Sequence, residues 1–537
     1  MKGKIKSIVL ILAVFLLTRC ANMVAPTGGP KDMTPPKVVE AVPENHGTGF
    51  SENKIEITFD EYVTLNNASQ QVLVSPPLVT KPDVKLSGKT VIIKLKEDLK
   101  PNTTYTIDFG EAVKDLHEGN LFKDYVYTFS TGEVLDTLTL AGTIIDAETQ
   151  KPVENLFVGL YVDDTIHADS LFRRPCRQAP DYVTRTDKEG HFRFYGLPDE
   201  PFLVFALEDM NSNLYYDLPN ERVAFLDTLV CPSDSVQVKM SAFAETDTTQ
   251  MLLENKLIEE GLLRFVFRQP ADSVAIDLSW PAIDSFQMVQ AWSDRHDTLS
   301  CWFTPNVLDS LHVSIHYDTL INIENSFNLQ FRETKTNRGT KTKALKIATN
   351  LKNKLLMPGK DFLLTFAEPI TYVNNKETRF EQVDDYGMVY CFIDSEDNAS
   401  DSSNVVLHIS DSVFYSVRGR TNDSIDFQWR RAEESDLGNI YIKVSPPEGK
   451  QVVVQLTDNK GKFLTDQIID STARVGFTEL TPGKYKLQVI VDSDRNGRWS
   501  SGNFHRRFLP ETIILYKDEL DLKAGWDIDL DEIWEIE

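Results

Sequence analysis

Apolar and polar residues alternate in short runs along most of this chain. Ile55, Ile57 and Phe59 fall on one face while Lys54, Glu56 and Thr58 fall on the other. Val91, Ile93 and Leu95 alternate in the same way with Ile92, Lys94 and Lys96, and Tyr105, Ile107 and Phe109 and then Tyr125, Tyr127 and Phe129 repeat the pattern. A period of two sends successive side chains to opposite faces of a strand, so each run predicts a strand with one buried face. Runs this short, separated by turn residues, predict antiparallel strands packed as sandwiches. Residues 250–260 (Gln-Met-Leu-Leu-Glu-Asn-Lys-Leu-Ile-Glu-Glu) are the exception and predict a short helix. The expected fold class is all-β, a tandem array of antiparallel β-sandwich domains.

The amino-terminal segment breaks the alternation. Lys2, Lys4 and Lys6 precede an apolar run from Ile8 to Leu17 that stops at Thr18-Arg19-Cys20. The run is too short for a permanent transmembrane helix but has the length of a signal-peptide core. The order Leu17-Thr18-Arg19-Cys20 resembles a bacterial lipobox, in which the cysteine thiol takes a diacylglycerol and becomes the new N-terminus. Arg19 departs from the small residue usual at that position, and an ordinary signal peptide cleaved elsewhere is the other reading. The resemblance implies a signal peptide over residues 1–19, an acyl anchor on Cys20, and a Pro/Gly-rich tether over residues 20–34.

Charge narrows the class of partner. The chain holds 56 Lys and Arg against 81 Asp and Glu, a net charge of −25. So acidic a body repels nucleic acid and anionic lipid headgroups, so neither is an expected partner. Cys176, Cys231, Cys301 and Cys391 are too sparse for a disulfide scaffold and form no Cys-x-x-Cys pair. Cys301 and Cys391 sit in strand-like runs as small core residues, whereas Cys176 and Cys231 are either bridged within one domain or reduced.

A chain of 537 residues is long enough for about four or five domains. Residues 35–133 contain Pro43-Glu-Asn-His-Gly47, Lys54-Ile-Glu-Ile-Thr-Phe-Asp-Glu61, Leu99-Lys-Pro-Asn-Thr-Thr-Tyr105 and Phe129-Ser-Thr-Gly132. As a set these resemble the bacterial Ig-like domain of surface-layer and cell-surface proteins. Residues 137–240 contain Leu140-Ala-Gly-Thr-Ile-Ile-Asp146 and Thr186-Asp-Lys-Glu-Gly-His-Phe-Arg-Phe-Tyr-Gly-Leu-Pro198, and resemble a transthyretin-like, or carboxypeptidase-regulatory-like, sandwich. Residues 436–537 echo that module: Phe477-Thr-Glu-Leu-Thr-Pro-Gly483 parallels Phe194-Tyr-Gly-Leu-Pro198, and each is followed by an apolar strand and an Asp/Asn loop. Residues 241–350 and 351–435 are expected as two further sandwiches, with the cut near 350 set by the strand entry at Leu356-Met-Pro-Gly-Lys-Asp-Phe-Leu-Leu-Thr-Phe366.

Taken with the tether, the whole resembles the Ig-like-domain lipoproteins of the Bacteroidota envelope. That resemblance implies a surface-exposed, lipid-anchored outer-membrane protein. Its implied partners are outer-membrane β-barrels and other envelope proteins, as an accessory subunit of a complex such as the β-barrel assembly machinery.

Candidate chemistry is confined to two loops and a few aromatics. Asp492-Ser-Asp-Arg-Asn-Gly-Arg-Trp499 places the oxygen side chains of Asp492, Asp494 and Asn496 at alternate positions with glycine sixth, the pattern of a Ca²⁺ loop. Asp209, Asn211, Asn213 and Asp217 give the other loop a similar spacing, with Glu221 beyond and Leu214 in the place of the glycine. A structural Ca²⁺ or a plain turn built from turn-forming residues would each produce these spacings. His312 and His316 alternate with Leu311, Val313 and Ile315, which places them on a strand about 13 Å apart, beyond a shared metal. No nucleophile-elbow, phosphate-loop, dinucleotide or zinc-peptidase motif is present, and no catalytic residue is expected. Tyr215, Tyr216, Trp429 and Trp499 are the candidate interface aromatics, serving as anchors for a protein or as a platform for glycan, the alternative partner class of a surface adhesin.

Overall fold

A computed structural model of the chain describes residues 32–536 apart from 124, 163–170, 219, 246–249, 272–273, 281–282, 306–309, 318–320, 329–343, 375–378 and 394–403. Cys20, the expected signal peptide and the tether up to residue 31 lie outside the described residues. Among the described residues regular structure is nearly all β, in many antiparallel sheets; the helical pieces are Ala68–Gln71 and single turns at Arg174–Cys176 and Glu434–Asp436. No described helix is long and apolar enough to cross a membrane. The chain divides into two compact units, residues 1–145 with 152–242, and residues 146–151 with 243–537.

The first unit opens with a sandwich built as the alternation requires. Strands Val38–Val42, Lys54–Phe59, Thr90–Lys94 and Asp83–Ser87 form one sheet in spatial order, and Leu73–Ser75, Thr104–Asp108 and Val126–Ser130 form another. Ile55, Ile57, Phe59, Val91 and Ile93 share one core with Tyr105, Ile107, Tyr127 and Phe129.

The separate sequence motifs of this region meet at one corner. Thr131 Oγ1 donates to the Lys100 carbonyl at 2.7 Å and accepts from Thr103 N at 3.0 Å. Asn45 Oδ1 accepts from Thr128 N at 2.8 Å, and Ser130 N donates to the Gly47 carbonyl at 2.9 Å. Gly132 packs so closely that a Cβ there would lie 2.9 Å from Asn102 Cα, which leaves glycine as the fitting residue. These motifs therefore form a set because they satisfy one another's backbone groups.

A seven-stranded sheet follows, with Leu140, Ile144, Val158, Leu160, Phe192, Phe194, Phe202 and Val204 in its core. It joins the first sandwich directly. Val183 N donates to Ser75 Oγ at 3.0 Å, Arg185 to the Gln70 carbonyl at 2.9 Å, and Lys188 pairs with Glu111 at 2.9 Å.

Among the described residues the second unit holds three large cores and two smaller apolar clusters. The predicted helix at 250–260 is instead strand Leu252–Glu259, paired antiparallel with Leu262–Phe267. Met251, Leu252, Leu253 and Glu254 are strong helix formers, so local composition favours a helix there. Glu260-Gly261 makes a two-residue hairpin turn with Gly261 at φ +76°, and pairing with the next run overrides local propensity. Leu263, Phe265, Leu299, Cys301 and Val313 fill the core behind this hairpin. His312 and His316 lie on strand Ser310–Tyr317.

The expected cut at 350 falls inside the next core. Leu345 is already buried in it, and strand Ile347–Thr349 pairs with Leu363–Phe366. Leu345 and Ile347 alternate with Lys346 and pack with Leu356, Phe362 and Leu364.

In the last core, strand Gly438–Ser445 lies between Ala473–Leu480, its antiparallel neighbour, and Asp527–Glu535, which pairs with it in parallel. The echo between residues 138–225 and 438–515 extends to register. Leu138 pairs with Leu197 and, after a register shift, Leu140 with Phe194; Gly438 pairs with Leu480 and, after the same shift, Ile440 with Phe477.

Candidate functional site

Each apolar strand of the echo, Phe202–Leu207 and Gly483–Asp492, runs into an Asp/Asn loop. The two loops share one hydrogen-bond scheme. Asp492 Oδ1 accepts from Asn496 N at 3.1 Å and Oδ2 from Gly497 N at 2.9 Å. Asp209 accepts from Asn213 N at 3.1 Å and Leu214 N at 2.8 Å in the same order. Leu214 adopts φ +60° where Gly497 adopts +76°, so the residue that departs from the glycine pattern keeps the glycine conformation. A buried glutamate closes each loop. Glu511 accepts from Ser493 N at 2.6 Å and Ser500 N at 3.0 Å, and Glu221 from Met210 N at 3.1 Å and Leu218 N at 3.2 Å.

The loops differ in the charge they gather. Asp492, Asp494 and Glu511 bring carboxylate oxygens within 4.8 Å of one another. Burial pushes the Glu511 carboxyl above its ordinary range, Asp494 adds to this, and the amide bonds from Ser493, Ser500 and Asp494 oppose it. Burial acts in the same direction on Asp492, yet hydrogen bonds from Gly497, Gln451 and Asn496 outweigh it and hold that carboxyl below its ordinary range. Three oxygen donors of this kind suit a hard cation, which takes six to eight such ligands. Asn496 Oδ1 accepts from Arg498 N at 2.8 Å. Glu511 escaped the sequence reading; it lies well beyond the loop motif and is brought back only by the pairing of Ile513–Leu515 with Gly483–Asp492.

The first loop closes on itself. Asn211 and Asn213 each donate through Nδ2 to Asp217, at 3.1 and 2.8 Å, so these amides turn nitrogen rather than oxygen toward the carboxylate. In this loop Asp209 binds backbone amides and Asp217 binds the two side-chain amides.

The aromatic candidates are mostly internal. Trp429 is buried and stacks on Phe362 with centroids 4.1 Å apart and planes at 6°. Tyr216 is buried, Tyr215 is half-buried, and Trp499 donates Nε1 to the Glu511 carbonyl at 2.9 Å while packing against Val453, Ile490 and Ile513. Neither ring is exposed: Trp429 lies in a core with Phe362, and Tyr216 packs beside Phe205 with centroids 6.2 Å apart. Cys176, Cys231, Cys301 and Cys391 all carry thiols, with no disulfide among the described residues. Burial pushes the Cys301 thiol up to about 12, which makes it inert as a nucleophile.

Comparison with known proteins adds one firm point. No curated protein sequence matches the chain. Among solved structures, the chain is similar to the N-terminal part of the bacterial S-layer protein SbsC at 16% identity and a TM-score of 0.14, covering 40% of this chain and 44% of that one. A longer S-layer protein structure, rSbsC(31-844), is 12% identical with a TM-score of 0.14, covering 92% of this chain and 68% of that one. BcpA, the major pilin subunit of Bacillus cereus, is 12% identical with a TM-score of 0.14, covering 74% of this chain and 99% of that one. The chain spans less than half the length of the first of these. None of these likenesses bears on what the protein does. The family model of the bacterial Ig-like domain matches residues 32–131, so about a fifth of the chain is similar to a named family.

Proposed function

We propose that this is a lipid-anchored, non-enzymatic outer-membrane protein whose sandwiches bind other envelope proteins as a structural subunit of a membrane complex, the β-barrel assembly machinery being one such complex. The observation that carries it is the bacterial Ig-like domain at residues 32–131, set directly behind a cysteine in a lipobox-like context and ahead of further closed β-cores. A lipid at Cys20 would confine the chain to a membrane surface, where an embedded partner is met at high effective concentration and modest interfaces suffice. Glycan binding, the rival reading, calls for flat exposed ring platforms. The exposed pair Tyr372 and Tyr415 instead has its planes at 57°.

The test is gentle detergent extraction of the tagged chain from its own membranes. A stable assembly with at least one integral β-barrel protein is expected, lost in Cys20→Ala. Depletion should lower the amounts of other outer-membrane proteins. A chain that elutes alone, with depletion impairing use of a single glycan only, overturns the subunit reading in favour of the adhesin.

Within the same proposal, Asp492, Asp494 and Glu511 hold a structural Ca²⁺ that relieves the crowding of their charges. Saturating Ca²⁺ at about a hundred times its dissociation constant would stabilise the loop by about 2.7 kcal/mol. Chelator should therefore lower one thermal transition of the full chain, and Asp492→Ala with Asp494→Ala should remove that sensitivity. Superimposable melting curves with and without chelator would leave a turn and no cation.

A further inference from the structure

Residues 495–510 read Arg-Asn-Gly-Arg-Trp-Ser-Ser-Gly-Asn-Phe-His-Arg-Arg-Phe-Leu-Pro. Four arginines and a histidine stand there without one acidic residue, in a chain where 81 acidic side chains outnumber 56 basic ones. The structure folds the second half of this stretch into a tight turn. Asn503 N donates to the Phe508 carbonyl at 2.7 Å, and Phe508 N returns a bond to Asn503 at 2.8 Å. Its base is fixed. Phe504 is buried, its N–H donates to Glu245 at 2.6 Å, Asn503 Nδ2 donates to the same carboxylate at 3.2 Å, and Ser501 Oγ donates to the Ala244 carbonyl at 2.6 Å.

What the turn and the loop residues flanking it leave exposed is apolar and cationic. Phe508 is 62% exposed and Leu509 49%. Arg498 and Arg506 are exposed, and among the described residues neither pairs with a carboxylate. Arg495 and Arg507 both adopt φ +59°, a region that long side chains seldom occupy and that Gly or Asn would fill more easily. Of the acids beside the stretch, Asp492 and Glu511 are buried, and Asp494 is already engaged by Asn496 and by Ser500 at 2.7 Å.

We propose that this turn is the docking surface for an acidic segment of a partner protein, with Arg498 and Arg506 receiving carboxylates and Phe508 and Leu509 receiving an apolar or aromatic side chain. The guanidinium fork matches a carboxylate in two parallel hydrogen bonds, and aromatic with arginine is the composition that concentrates binding energy at interfaces. Charge complementarity also selects the size of the ligand. An extended anionic bilayer or nucleic acid meets the repulsion of the acidic body, whereas a short segment can lie against the arginines, within a screening length of about 10 Å, and leave most of that body beyond it.

The proposal deepens the protein-binding function above and rests on it. The test uses the purified full chain and, as probe, a random copolymer of glutamate and tyrosine. Saturable binding is expected, weakening as NaCl rises from about 50 to 300 mM. Arg498→Glu with Arg506→Glu should lose at least about tenfold in affinity, Phe508→Ser should lose severalfold, and Lys81→Glu should bind as the parent does. Unchanged thermal transitions in each variant establish that the fold is intact. Equal binding by the Arg498→Glu, Arg506→Glu variant overturns the surface, as does tighter binding of the parent to phosphatidylglycerol vesicles than to the copolymer. If the double variant binds the copolymer normally yet the tagged chain still recovers a β-barrel assembly, only the surface is wrong; if the parent recovers no assembly, the protein-binding function itself falls.

Discussion

Arg418→Met is expected to weaken the joint between the third and fourth cores by about 3–5 kcal/mol. Arg418 donates to Glu259 at 2.6 Å, to Glu368 at 2.9 Å and to the Glu260 carbonyl. The side chains of Arg418 and Glu368 are each only 3% exposed. Beside them Leu262, Ala291, Trp302 and Val417 form a small apolar cluster of their own. Methionine keeps the apolar stem but removes the cation that bonds to Glu368 at 2.9 Å, which leaves the buried carboxylate with only Arg420 Nε, 3.8 Å away, as counter-charge. That under-compensated buried charge, more than the lost hydrogen bonds, is what destabilises.

The argument fixes a second outcome. Arg418→Met combined with Glu368→Leu removes both charges and should recover to within about 1 kcal/mol of the parent, or exceed it. Arg418 Nε and Glu368 Oε1 have no hydrogen-bond partner even in the intact network, so the apolar replacement gives up less than the bond list suggests. Hydrogen exchange of amides in residues 259–267 and 414–421 measures this opening locally, which suits a chain of several cores better than one global transition. A double variant as exchange-labile as the single one would show that the ion pair itself holds the joint.

Trp429→Ala is the second large effect, expected to destabilise the fourth core by about 3–5 kcal/mol, with Trp429→Phe losing much less. The indole lies between Phe362, stacked at 4.1 Å, and Phe392, whose ring meets it edge-on at 6.3 Å and 88°. Truncation empties the centre of that aromatic stack and leaves a cavity that its neighbours on three different strands or loops cannot close together. A solvent-facing anchor would behave otherwise, since removing it leaves stability within about 0.5 kcal/mol. Amide exchange in strands Leu363–Phe366 and Ile425–Arg431 separates the two. Unaltered protection in Trp429→Ala would return the residue to the list of binding anchors.

Trp429 also marks the limit of what the sequence reveals. Strands were legible wherever apolar residues alternated, because a period of two is a property of neighbours in sequence; Ile55, Ile57 and Phe59 are buried as that pattern requires. The Asp/Asn loops were legible as turns for the same reason, since Asp492 and Asp209 bond to amides four and five residues on. Whether a ring is covered depends on residues far away in the chain, and no local pattern ties Trp429 to Phe362. Glu511 and the Arg418–Glu368 pair were invisible on the same ground. The strand at Leu252–Glu259 was lost for a different one: its composition favours helix, and only the hairpin partner decides the matter.

The parallel pairing of Asp527–Glu535 with Gly438–Ser445 bears on the order of assembly. Gly438–Ser445 lies far ahead of that neighbour in the sequence, so until the later strand docks one row of amides and carbonyls is unmet. Nascent or clipped chains that stop short of Asp527 would display that edge to any extended peptide nearby. Closing this sandwich therefore depends on a strand distant in sequence, and copies that lack it carry an open edge prone to mispairing.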